Sequence, residues 1–183
     1  MSRITTPATI EDAPAASQTL LKGVKKMLGS APNMFRLISN SPATLEGYLG
    51  LNGALQQGSI DAATRERIAL AVASTNGCDY CNCAHTFLAK TFAKLDEAEL
   101  AANRAGRSSD AKAHAAVAFA VKVASNRGQI SVEDILEVKA AGYSDAEVVE
   151  IVGHVALNVL TNYINEVFKT EIDFPVVELA KAA

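Results

Sequence analysis

Glu66-Arg67-Ile68-Ala69-Leu70-Ala71-Val72-Ala73-Ser74-Thr75-Asn76-Gly77-Cys78-Asp79-Tyr80-Cys81-Asn82-Cys83-Ala84-His85 is the stretch on which the reading of this chain turns. It holds all three cysteines, one of the three histidines and a glutamate, in an otherwise apolar helical pattern. Asp61 is an N-cap signal for a helix that carries Glu66 and runs to Thr75. Asn76-Gly77 breaks that helix, and Cys78 stands at or just before the start of the next, which should continue through Phe87 to about Phe92.

The flanks repeat the same grammar. A first helix is expected over residues 15–28, with Leu20, Leu21, Val24, Met27 and Leu28 on one stripe and Gly29 as a stop. A short helical piece follows over residues 32–38, and Ser41-Pro42 opens a helix that should end at Gly58. Asp96 and Glu99 have capping-box spacing, Ser109 or Asp110 starts another helix, and Ser131 starts one more. Ser144-Asp145-Ala146-Glu147 is a capping box for the longest helix, from Val148 to Val167. No segment alternates with period two, so the chain reads as all-α. It divides into an extended or mobile N-terminal arm (residues 1–13), a single helical domain (14–176) and a C-terminal tail (177–183).

Composition narrows the function classes. The 183 residues are enough for one self-sufficient core, and the 49% of hydrophobic residues include many alanines, few aromatics and no Trp, a mixture suited to close-packed helices. A net charge of −3 without a long basic run argues against nucleic acid and anionic membranes as partners. The polar first 14 residues lack the apolar core of a signal peptide, and charged or polar residues interrupt every apolar run before membrane-spanning length. A soluble, cytoplasmic protein is therefore expected. There, clustered cysteines signal redox or metal chemistry rather than a structural framework.

On a helical wheel of about 100° per residue, taking Cys78 as zero, Cys81 falls near 300° and His85 near 340°, one face over two turns. Cys83 falls near 140°, on the opposite side, where a small buried apolar residue is the plain reading. A Cys-x-x-Cys pair at a helix start is within disulfide reach, and the helix N-terminus favours a thiolate. His85 can take the thiol proton. Glu66 can orient His85 if the Asn76-Gly77 break folds the two helices together, which gives nucleophile, base and base-positioning group. Plainer readings stand beside this one. Glu66, flanked by Arg65 and Arg67, resembles a solvated charge, and a lone helical histidine is ordinarily structural, as His154 also reads among Val152, Val155 and Leu157. Cys78, Cys81, His85 and Glu66 also make a conceivable zinc set, although no second Cys/His knuckle accompanies it.

Glu66, Cys78, Cys81 and His85 match, at every spacing, the signature of the AhpD-like alkylhydroperoxidases of the carboxymuconolactone decarboxylase superfamily. Ser30-Ala31-Pro32-Asn33-Met34-Phe35-Arg36, Asn162-Tyr163-Ile164-Asn165 and Thr170-Glu171-Ile172-Asp173-Phe174-Pro175 resemble its peroxidase-related branch. The likeness spans residues 30–176. It implies an all-helical fold assembled as a homo-oligomer, trimer or hexamer. It implies that Cys81 attacks a hydroperoxide, that Cys78 resolves the sulfenic acid to a disulfide, and that a dithiol of dihydrolipoamide or thioredoxin type restores the pair. His85 and Glu66 would be the proton relay, and no bound cofactor is called for. Cys81 would attack as the thiol nearer His85, and Cys78 would be better exposed to the reductant. The characterised alkylhydroperoxidase has a histidine where this chain has Tyr80, a possible helper but a poor proton shuttle near neutral pH. Decarboxylation is not expected, since the true decarboxylases lack the cysteine pair. Two other readings remain open: a thiol relay or redox sensor without efficient peroxide turnover, and the metal site.

Overall fold

The computed structural model describes residues 2–177, all-helical with no strand among the described residues. The helices are α1 (Ala15–Leu28), α2 (Asn33–Ile38), α3 (Pro42–Leu55), α4 (Ala62–Thr75), α5 (Asp79–Leu88), α6 (Glu97–Arg104), α7 (Ala111–Ser125), α8 (Val132–Ala140) and α9 (Asp145–Phe168). The C-terminal tail lies outside the described residues except for Val177.

Helix starts follow the capping chemistry of the sequence. The side chains of Ser41, Asp61, Asp96, Asp110, Ser131 and Ser144 each accept the backbone N–H three residues on. Ser131 and Ser144 complete reciprocal capping boxes. At Asp96 only half of the expected box forms. Glu99 turns away from the cap and accepts from Arg67, Asn103, Ser108 and Ser109, a hub that ties α6 and the following loop to α4.

At the centre lies α4. Every residue from Ile68 to Ala73 is buried, so this helix is covered on all sides, by α5, α6, α7 and α9. Small alanines at 69, 71 and 73 let those neighbours approach closely. One side of the core joins Ile68 and Val72 to Val117, Ala120, Val138 and Ile151. The other joins Ala73, Cys78, Tyr80 and Cys81 to Leu21, Met34, Ile38 and Leu45, so the cysteine pair is built into the core.

One further expectation needs correction, and two others gain detail. Met27 and Leu28 fall on the exposed side of the last turn of α1, where only Ser17, Leu21 and Val24 are fully buried. Residues 89–93 continue α5 as a single π-helical turn, closed by Lys94 in the left-handed region. The N-terminal arm has no regular structure, but it is held along its length. Arg3 donates to the carbonyls of Val167 and Phe168, Asn40 to that of Thr5, and Arg36 to those of Pro7 and Ala8, while Ile10 and Ala13 are buried.

Candidate active site

The break between α4 and α5 places the chemistry. Gly77 takes φ +66°, a conformation open to glycine at little cost, and the Cys78 N–H then closes α4 by donating to the Ala73 carbonyl at 2.9 Å. The hairpin is locked from inside by Asn82, which accepts from Ser74 Oγ at 2.9 Å and donates to the Cys78 carbonyl at 3.1 Å. Cys78 thereby becomes the N-cap of α5, and its Sγ accepts the Cys81 N–H at 3.2 Å.

Cys78 and Cys81 are joined as a disulfide with Cα atoms 5.3 Å apart. Both residues are buried, Cys78 at 0% and Cys81 at 2% exposure, so the expected exposure of Cys78 at the helix tip is not found. The physical reason is the N-cap position: the sulfur turns back over the first turn, under the apolar cluster that includes Met34, Ile38 and Phe174. Cys83 is free and buried on the other side of α5.

The fold-back brings Glu66 to His85. His85 Nδ1 lies 2.9 Å from Glu66 Oε2, both side chains about a fifth exposed. The carboxylate thus fixes the ring orientation, with Nδ1–H donating to it. Half-buried Tyr48 of α3 completes this corner: burial first, then the nearby Glu66 charge, push its phenol up to about 12.

Tyr80, the residue between the two cysteines, is committed elsewhere. Its hydroxyl accepts the Met34 N–H at 3.1 Å and donates to Asp173 Oδ1 at 2.9 Å, and its ring packs edge-on against Phe174. Burial first, then the Asp173 carboxylate, hold this phenol far above its ordinary range, against the pull of the Met34 N–H. The other Asp173 oxygen accepts the Asn33 N–H at 2.8 Å, so one carboxylate ties α2, α5 and residues 170–175 together. Two of the three flanking segments noted in the sequence, residues 30–36 and 170–175, therefore meet at Tyr80.

Asn165, noted in the sequence only as the end of the Asn162–Asn165 flank, touches the disulfide. Its Nδ2 lies 3.3 Å from Cys81 Sγ, and it is 2% exposed. A signal was present: Asn158, Asn162 and Asn165 follow one another at i, i+4 and i+7 along an apolar helix, a buried polar stripe that needs a reason. His154, one turn before Asn158, is also buried; burial, then the charge of Arg65, lower its pKa to about 4, so the ring is neutral. A polar cleft of about 360 Å³ lined by Asp61, Arg67, Asp110, Lys112, Tyr143 and Glu147 opens elsewhere, and none of the cysteines lines it. Among the described residues no group of three or more His, Cys, Asp or Glu side chains is arranged to hold a metal ion. No helix among them is long and apolar enough to cross a membrane.

The carboxymuconolactone decarboxylase family model matches residues 42–126, from the start of α3 to the end of α7, the span that includes Glu66, both paired cysteines and His85. The match covers a little under half of the chain. The chain as a whole has an AhpD-like fold. It superposes on the alkylhydroperoxidase AhpD core of an uncharacterised peroxidase-related protein from Ralstonia eutropha JMP134, with TM-score 0.84 and 20% identity over 94% of this chain and 92% of that one. An uncharacterised peroxidase-related protein from Silicibacter sp. TM1040 gives TM-score 0.80 and 21% identity over 93% and 91%. A cysteine-to-alanine variant of the debrominase Bmp8, solved with 2,3,4-tribromopyrrole, gives 0.79 and 22% over 94% of each chain. At these identities the likeness is one of fold. Comparison with curated proteins returns no match.

Proposed function

We propose that this protein is a member of the carboxymuconolactone decarboxylase family and a cysteine-based peroxidase of the alkyl hydroperoxide reductase type. The single observation that carries the reading is the Glu66–His85 pair at 2.9 Å, one helical turn from Cys81 of a formed Cys78–Cys81 disulfide. In the reduced state His85 takes the Cys81 proton. The thiolate attacks the terminal oxygen of a hydroperoxide, the S–O bond forms as the O–O bond breaks, and the leaving alkoxide takes the proton back from His85. Cys78 sulfur then attacks the Cys81 sulfenic acid, releasing water and forming the disulfide. A dithiol of dihydrolipoamide or thioredoxin type supplies two electrons and two protons and leaves as its own disulfide.

Both sulfurs are covered, so a small hydroperoxide suits the site better than a bulky one, and the reductant must displace part of the cover. The working unit is a homo-oligomer, trimer or hexamer, supported by the exposed apolar face of α9. The test is steady-state peroxide consumption against a panel of dithiols. Turnover that Cys81→Ser abolishes supports the peroxidase. Stoichiometric oxidation without turnover replaces it with a thiol relay, and turnover only with a brominated pyrrole replaces it with a reductive dehalogenase.

A further inference from the structure

We infer that Asn165 is a catalytic residue, the hydrogen-bond donor that makes Cys81 the thiolate of the pair. The inference rests on the redox role proposed for Cys78 and Cys81, but it concerns the acidity of one thiol and not the identity of the oxidant. The two sulfurs have different donors. Cys78 Sγ receives the Cys81 backbone N–H at 3.2 Å, as the N-cap of α5. Left to that alone, the helix N-terminus would favour Cys78 as the thiolate. Cys81 Sγ receives Asn165 Nδ2 at 3.3 Å from α9, in a buried site where a hydrogen bond to a charged acceptor is stronger than in water.

No other side chain among the described residues donates to Cys81. Tyr80, its neighbour in the chain, spends its hydroxyl on Met34 and Asp173. The His85 ring is bonded to Glu66. His85 can therefore carry the proton away, while Asn165 holds the charge that remains.

The donor is held in place. Asn165 lies one turn from the end of α9, and its carbonyl accepts the N–H groups of Lys169, in the left-handed region, and of Thr170. Its Oδ1 is buried with no hydrogen-bond partner, and so is the Nδ2 of Asn162 one turn earlier. A packing role alone would not leave two buried amide groups half-satisfied, because an apolar side chain of the same size would fit at lower cost. A disulfide sulfur is a weak acceptor and a thiolate a strong one, so this bond strengthens on reduction. It then serves both half-reactions. When a reductant thiolate attacks Cys78, the S–S electron pair passes to Cys81, and a stabilised thiolate leaves faster.

The test titrates thiolate absorbance of the reduced protein, with no peroxide present. In a Cys78→Ser, Cys83→Ser background, Asn165→Ala should lower the Cys81 thiolate fraction near neutral pH by about tenfold, the loss of one charge-assisted hydrogen bond. Asn165→Asp, nearly isosteric, should lower it further, and it carries the test if the alanine variant fails to fold. In a Cys81→Ser, Cys83→Ser background the same changes should leave the Cys78 titration in place. A Cys81 curve unmoved by both substitutions in folded protein, or equal shifts at both cysteines, would overturn the inference. A failed peroxide assay would not, so the two readings fall separately.

Discussion

Glu66 and Glu99 sit on two neighbouring helices, and their surroundings give them opposite tasks. Glu66 keeps one hydrogen-bond partner, His85, and partial contact with solvent, surroundings that suit the proton relay proposed above. Replacing it by Gln should slow sulfenate formation at neutral pH by roughly a hundredfold, at the low end of general-base contributions, as read by stopped-flow mixing of reduced protein with peroxide. An unchanged rate would remove the relay. Glu99 is buried and saturated. Burial opposes its charge, but hydrogen bonds from Ser108, Ser109 and Asn103 outweigh this and hold its pKa far below the usual carboxylate range. A pKa depressed in the folded state adds stability that is fully present above the unfolded value of 4.5 and is lost as pH falls below it toward the folded value. Glu99→Gln should therefore cost about 1–3 kcal/mol at neutral pH and flatten the acid limb of the denaturation profile. A variant equally sensitive to acid would contradict the hub.

Among the elements, α5 depends on partners that lie far along the chain. Tyr80 is 46 residues from Met34 and 93 from Asp173, and its hydroxyl joins α5 to the start of α2 and to residues 170–175. Tyr80→Phe keeps the ring on Phe174 and removes both hydrogen bonds. It should lower stability by about 1–2 kcal/mol and speed amide exchange in residues 33–36 and 170–176. Exchange unchanged in both segments would show that the clasp does not bind them. Local structure was readable from sequence because its causes are local. Six side-chain N-caps mark six helix starts, and Gly77 marks the hairpin. Glu99 misled because capping-box spacing cannot reveal that Arg67, Ser108 and Ser109 compete for its carboxylate. Asn165 was hidden for the same reason, its contact with Cys81 spanning 84 residues. The burial of Cys78 likewise depends on α2 and Phe174, which spacing on α5 does not contain.

At the scale of the whole molecule, the outer face of α9 carries Val149, Val152, Leu160, Tyr163 and Val167 on one stripe, with Val149 71% and Tyr163 60% exposed. A stripe of this length on a 24-residue helix is expected to be covered by a second copy of the chain. Sedimentation equilibrium should give a trimer or hexamer, and Tyr163→Glu together with Val149→Lys should shift it toward monomer. A monomeric native protein at high concentration would refute the assembly.

The central claim is that Cys81 is the sulfur oxidised by peroxide. Reduced Cys78→Ser protein, mixed with one equivalent of a small alkyl hydroperoxide and a sulfenate-trapping dione, should gain one trapped adduct, and peptide mapping should place it on Cys81. An adduct on Cys83, or none in folded protein while peroxide remains unconsumed, would contradict the account.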